Sequence, residues 1–257
     1  MATKQPAPLV QRQFIEERFH DDKIKKQQPA QATYLSLPAN YAIGKLVQAL
    51  GDYRGKRILE FGCGVDGLAI YLGRRGAITD GFDISGNVIE LARQRVKDYG
   101  LDGKVNLKKM SAESLEYPND SFDIVVGNAI LHHCDLSLAL EGIWRVLREG
   151  GSAYFLEPLD HNFLLKVYRR LTPGERSITE KPLSFADFHH FRQRFAEFEH
   201  EEMYLLTLAC FLWRFVIPNE YLYRQAFYKF LHLDSKLLRI IPYLNKYCWT
   251  TLLKFKK

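Results

Sequence analysis

The sequence predicts an α/β fold, a mostly parallel sheet with helices on both faces, and two observations carry that expectation. Residues 56–85, KRILEFGCGVDGLAIYLGRRGAITDGFDIS, read as a strand, a glycine turn, a helix and a second strand that ends on an acid. Short apolar runs at Ile124–Asn128 and Ser152–Glu157 then supply further buried strands.

The first unit is the most informative. Ile58, Leu59 and Phe61 form a strand for the sheet interior, and Gly62 with Gly64 let the chain reverse with no side chain between backbone and ligand. Asp83 closes the next strand roughly 20 residues after these glycines, where a βαβ unit presents a carboxylate to the two hydroxyls of a ribose. An adenosine-like ligand satisfies both features. Gly62, Gly64 and Gly67 also fit G-x-G-x-x-G, so an NAD-dependent dehydrogenase is a rival reading. Glu60, two residues before the first glycine, argues against it: a carboxylate is repelled by a pyrophosphate and suits a cationic, amine-bearing ligand such as a sulfonium amino acid.

From these residues onward the chain resembles the class I S-adenosylmethionine-dependent methyltransferases. Met110-Ser111-Ala112-Glu113 followed by Tyr117-Pro118-Asn119-Asp120-Ser121-Phe122-Asp123 is similar to the family's third motif, leading into the fourth strand. Ala129-Ile130-Leu131-His132-His133 resembles the segment after that strand, and Arg145 to Gly151 resembles the turn before the fifth. Four motifs in order, over residues 56–157, are far more specific than one glycine pattern. The resemblance implies a Rossmann-like, seven-stranded sheet and S-adenosyl-L-methionine as cofactor. The expected cofactor residues are Glu60, Gly62, Cys63, Gly64, Asp83, Ile84, Ser111, Ala112, Glu113 and Asn128. In many members a glycine stands where this chain has Asp66, with Gly67 one place later. Asp66 is read as the N-cap of the following helix, with a contact to the methionine end of the cofactor as the alternative.

Composition agrees with one globular enzyme. A chain of 257 residues with 47% hydrophobic residues builds a sizeable core, and a second large domain is not required. The net charge of +6 is scattered, with Lys254-Phe255-Lys256-Lys257 its densest run, so nucleic acid is not an expected partner. Cys63, Cys134, Cys210 and Cys248 form no C-x-x-C pair and read as small buried hydrophobes in a reducing compartment. MATKQPAPLVQRQF holds no apolar core of signal-peptide length, and the expected location is cytoplasmic.

The expected organisation is an N-terminal helical lid over residues 1–50 and a cofactor-binding domain over 51–257. Helices are read at Val10 to Phe19 and Tyr34 to Leu50, and Phe19-His20-Asp21 is either an exposed helix end or a substrate contact. Two insertions, about 158–183 and 205–244, are expected to roof a small-molecule substrate. EPLDHNFLLKVYRRLTP also resembles a subset of bacterial small-molecule, glycan and natural-product methyltransferases. The second insertion concentrates Phe, Tyr, Trp and Leu, Phe211 and Trp213 among them. It reads as a substrate roof, a surface for a homodimer, or a patch that touches a membrane. Cys248 to Phe255 is the expected last strand, antiparallel beside the sixth.

Methyl transfer from a sulfonium needs an aligned acceptor, exclusion of water and, for an oxygen or nitrogen acceptor, a base. His133, then His161, then His132 are the candidates, with Glu157 and Asp160 close enough in sequence to orient His161. Neighbours on a helix diverge by about 100°, so only one of His132 and His133 is expected to face the site. A metal is not expected, because consecutive side chains in His132-His133-Cys134-Asp135 cannot converge on one ion. The expected reaction is O-methylation of a secondary-metabolite, glycan or lipid-like molecule. The alternatives are a S-adenosylmethionine-binding enzyme with non-methylating chemistry, such as cyclisation through the aminocarboxypropyl group, and the dehydrogenase.

Overall fold

The computed structural model describes residues 8–26, 33–172, 174, 177–210 and 219–257. Its centre is a seven-stranded sheet in the order β3-β2-β1-β4-β5-β7-β6. The strands are β1 (Arg57–Phe61), β2 (Ile78–Asp83), β3 (Val105–Lys109), β4 (Phe122–Asn128), β5 (Leu147–Pro158), β6 (Glu197–Met203) and β7 (Thr250–Lys256). The first five are parallel, and β7 runs antiparallel between β5 and β6. Strand order reverses between β1 and β4, so both leave a crevice open at their carboxyl ends.

Side chains on the strands alternate between two apolar layers. Leu59, Phe61 and Val125 enter a core shared with α5 (Leu136–Val146) and α7 (Phe188–Arg194). Ile58, Ile124 and Val126 enter another with α2 (Thr33–Leu50), α3 (Leu68–Gly73) and Phe227 of α8 (Glu220–Ile240). A third cluster joins α4 (Gly86–Asp98) to Ala69, Val105 and Leu107. Two further helices, α1 (Leu9–Lys26) and α6 (Phe163–Leu171), flank the carboxyl ends of the strands. The four cysteines are free and buried. Among the described residues, no helix is long and apolar enough to cross a membrane.

Asp66 is not the N-cap of α3. That position is Gly67, and Asp66 is exposed, 3.6 Å from Arg95. The capping acceptor is Glu60, whose carboxylate takes the N–H groups of Leu68 at 2.7 Å and Ala69 at 2.6 Å. This accounts for the displaced glycine: a Cβ on residue 67 would lie 2.0 Å from the Cys63 carbonyl oxygen and 2.6 Å from Glu60 Oε2. Gly67→Ala is therefore expected to cost about 3 kcal/mol, as overpacking against backbone does. Urea denaturation checks it, and a loss under about 1 kcal/mol would contradict the close approach.

The second insertion is anchored from within. Asp234 of α8 is buried and accepts the N–H groups of Leu205, Leu206 and Thr207 and the Thr207 hydroxyl, at 2.7–3.1 Å. Tyr223 and Phe227 pack behind Tyr204, so α8 supports the wall that Tyr204 forms. Phe211 and Trp213 lie outside the described residues.

Candidate active site

A cavity of about 320 Å³ opens over the β1 turn. Gly62, Gly64, Asp83, Ile84, Met110, Ala112, Glu113 and Asn128 line it from the sheet side, and Arg12, Gln13, Glu16 and His20 close it from α1. Gly62 has φ +64°, and a Cβ there would meet the Ile130 side chain at 2.8 Å, so the turn requires glycine on two counts. Asp83 is held by the N–H groups of Gly64 at 3.2 Å and Ser85 at 3.0 Å. Burial pushes its carboxyl above the usual range, against the opposing pull of these N–H groups and of His20.

Three sequence-expected cofactor residues sit elsewhere. Glu60 is absent from the cavity wall, since both its oxygens serve α3; burial pushes it up to about 8 despite those two N–H donors. Cys63 is buried in the core, and its N–H is spent on the Phe82 carbonyl at 2.8 Å. Ser111 stands behind the wall, donating to Glu113 at 2.6 Å and accepting from Gln13 at 2.9 Å.

A second cavity, about 660 Å³, meets the first at Asn128 and Ala129. It is walled by Pro38, Ala39 and Ala42 of α2, Leu156 to Pro158 of β5, Leu165, Tyr168 and Arg169 of α6, and Tyr204, Trp249 and Thr250. At the junction Ala129 adopts φ 57°, a left-handed conformation costing of order 1 kcal/mol in a residue with a Cβ. Such strain is concentrated at sites where backbone position matters.

The two neighbouring histidines go to different cavities. His133 lines the first, with Nδ1 3.1 Å from Glu16 Oε2, and His20 Nε2 lies 3.8 Å from the same oxygen. Ligand atoms of these three residues fall within 4.8 Å of one another, a convergence of α1 with the turn after β4 that sequence order does not display. His132 lines the second cavity and is buried, with Nδ1 2.7 Å from Glu157 Oε2. Glu157 also accepts the N–H groups of Ile130, Leu131 and His132, at 2.8–3.3 Å. Its partner is thus His132 and not His161. His161 lines neither cavity, and its Nδ1 is buried with no hydrogen-bond partner among the described residues.

Arg12, Gln13 and Glu16 are the contacts of α1 that sequence reasoning missed, whereas His20 and Asp21 belong to the segment it singled out. Arg12 donates to the carbonyls of His133 and Cys134, at 3.1 and 2.6 Å, and Asp21 accepts from Ser85. Glu16 is buried and accepts from Ser177 at 2.7 Å and from Thr179. Burial raises its carboxyl, but His133, Thr179 and Ser177 outweigh this and hold it at about 2. A depressed carboxyl stabilises the docked helix fully above the ordinary value near 4.5, and that contribution is lost as pH falls toward about 2. Glu16→Gln at neutral pH is expected to speed amide exchange in α1 by about tenfold with the sheet unaffected, and unchanged exchange would deny Glu16 that role. The available sign was the i, i+4, i+8 spacing of Arg12, Glu16 and His20 on one helix face.

A mostly parallel sheet reversing at β1/β4, a carboxylate ending β2 and a glycine turn beneath a cavity define the class I methyltransferase architecture. Residues 59–155 match the family described as "Methyltransferase domain". Methyltransferase GfsG of Streptomyces halstedii is 36% identical over 109 residues, 42% of this chain and 39% of that protein. The ubiquinone/menaquinone biosynthesis C-methyltransferase UbiE of Shewanella piezotolerans is 28% identical over 129 residues, 48% of this chain and 51% of that one. The chain thus spans about two fifths to half the length of these curated relatives. Among solved structures, geranyl diphosphate C-methyltransferase from Streptomyces coelicolor, in complex with Mg2+, geranyl diphosphate and S-adenosyl-L-homocysteine, has a TM-score of 0.69. It is 13% identical, with 97% of this chain and 99% of that chain covered, and shows a common fold.

Proposed function

We propose that the protein transfers the methyl group of S-adenosyl-L-methionine to an oxygen of a small molecule. The observation that carries this reading is the junction of two cavities at Asn128 and Ala129, one suited to the cofactor and one to an acceptor. The donor set fits the cofactor: Asp83 offers a carboxylate to a ribose diol, and Ile84, Val88, Met110 and Ala112 make an apolar slot of the kind an adenine ring fills. When bound, the cofactor supplies an already activated methyl group, so the protein is left with alignment, exclusion of water and removal of one proton.

His132 is the base in this reading. A Glu157 carboxylate can only accept, so it fixes the proton on Nδ1 and leaves the Nε2 lone pair for the acceptor. His133, preferred on sequence grounds, faces the first cavity beside Glu16 and serves to dock α1, which acts as the lid. The relatives named as C-methyltransferases leave the acceptor atom to be tested, since a base also serves a phenol-like carbon acceptor. Calorimetric titration with S-adenosylhomocysteine and with NADH tests the cofactor. Mass detection of S-adenosylhomocysteine against methylthioadenosine then tests the reaction, and NADH binding or methylthioadenosine release would overturn it. A methoxy rather than a C-methyl resonance in the product decides the atom.

A further inference from the structure

Helix α6 has its amphipathic face reversed. None of its nine residues is buried, and at about 100° per residue Phe163, Val167, Leu171, Leu164 and Tyr168 share one arc. All five are exposed, Phe163 at 73% and Leu171 at 76%, so this arc faces away from the protein. The opposite arc holds Leu165 and Arg169, which line the second cavity, and Arg169 is paired there with Glu180 at 2.7 Å. Lys166, 3.5 Å from Asp160 in a half-exposed pair, and Arg170 fall together at one edge of the apolar arc, and the turn beyond adds Ile178, exposed at 88%, and an exposed Lys181, 4.0 Å from Asp187.

A soluble helix ordinarily buries its apolar stripe. An exposed stripe edged by cations is what an interfacial helix offers to a bilayer carrying negative charge, the side chains entering the acyl boundary and the cations meeting lipid phosphates. The net charge of +6 has the matching sign. The stripe is also continuous with the second cavity, because Tyr168 belongs to both. That cavity is apolar along Pro38, Ala42, Leu156, Leu165 and Trp249, with Asn128, His132 and Glu157 contributed by β4, the turn after it and β5, and Tyr168 and the paired Arg169 by α6. Such a lining takes a molecule with one polar head and an apolar body.

We propose that α6 docks on an anionic lipid surface and that the second cavity draws from it an amphiphilic, hydroxyl-bearing acceptor. This rests on reading the second cavity as the acceptor site, and it moves the membrane contact from the 205–244 insertion to α6. The first test is flotation of the full chain with phosphatidylcholine vesicles, with and without phosphatidylglycerol. Binding is expected only with phosphatidylglycerol, and to fall about tenfold or more in the surface variant Phe163→Ser/Leu171→Ser and in Lys166→Glu/Arg170→Glu. Equal flotation of either variant and the parent overturns the docking.

The second test titrates 4-alkylphenols of rising chain length into protein saturated with S-adenosylhomocysteine. Affinity is expected to rise about fourfold per methylene, as burial of each CH₂ gives, until the cavity is filled, and to lose that dependence in Ala42→Glu. Affinity independent of chain length overturns the amphiphile. Failure of the methyltransferase reading is seen separately, as absence of S-adenosylhomocysteine binding at the outset.

Discussion

His132→Ala is expected to lower turnover by about 10²-fold or more while S-adenosylhomocysteine affinity stays within about twofold, because general-base catalysis is worth roughly 10² to 10⁴. The split follows from position. His132 lines the second cavity and is absent from the wall of the first, where the cofactor residues are. Its ring is held by a carboxylate buried at the end of β5, which spends its remaining capacity on three backbone N–H groups of the same turn. The tautomer is therefore set by the fold before any acceptor arrives, which is how an orienting carboxylate contributes to a histidine base.

Two controls separate a base from a packing residue. Turnover of His132→Ala should be restored in part by added imidazole and should climb with pH as the acceptor ionises unaided, neither of which a purely structural defect would give. Glu157→Gln should lower turnover as well, since its amide offers one acceptor oxygen where the carboxylate offers two. Near-normal turnover in His132→Ala, with a large loss in His133→Ala, would return the base to the first cavity and reverse the present assignment.

How much of this was legible in the sequence depended on how local each cause is. The β1 turn, the acid ending β2 and a seven-stranded, mostly parallel sheet were legible from residues close together in the chain, whereas the order β3-β2-β1-β4-β5 in which the parallel strands lie side by side was not read from it. Glu60 was legible as unusual but not in its role: a carboxylate two residues before a glycine turn looks aimed at a ligand, yet α3 begins eight residues later with N–H groups that need an acceptor. The Gly67 displacement has the same cause. His132 and His133 were read as a pair pointing apart, yet their rings lie 4.1 Å apart and their ligand atoms fall within 4.8 Å of one another and of Glu180, even though one lines each cavity. Which one meets which carboxylate was not legible, because Glu16 and Glu157 reach them from distant segments. The reversed face of α6 was hidden too, since apolar periodicity reports that a stripe exists and not which way tertiary packing turns it.

Asp83→Ala is expected to weaken S-adenosylmethionine binding by about 1.5 to 3 kcal/mol, roughly 10- to 150-fold in Kd, as the loss of a charge-assisted contact to a diol does. Asp83 ends β2 inside the first cavity, and its two oxygens already accept from Gly64 and Ser85, which hold the carboxylate in one orientation. Part of the loss could come from slackening of the glycine turn. Asp83→Asn controls for this, since an amide keeps the shape and one acceptor but not the charge, and it should lose most of the same affinity. The pH dependence gives a third, independent check. Burial raises the carboxyl of the free protein above its ordinary value, so cofactor binding, which needs the ionised form, should weaken as the solution is acidified into that range. The weakening should vanish in Asp83→Asn, which has no proton to take up. A folded Asp83→Ala protein with unchanged affinity and an unchanged pH profile would remove the ribose contact from β2, and with it the argument that the glycine turn and the acid beyond it serve one ligand.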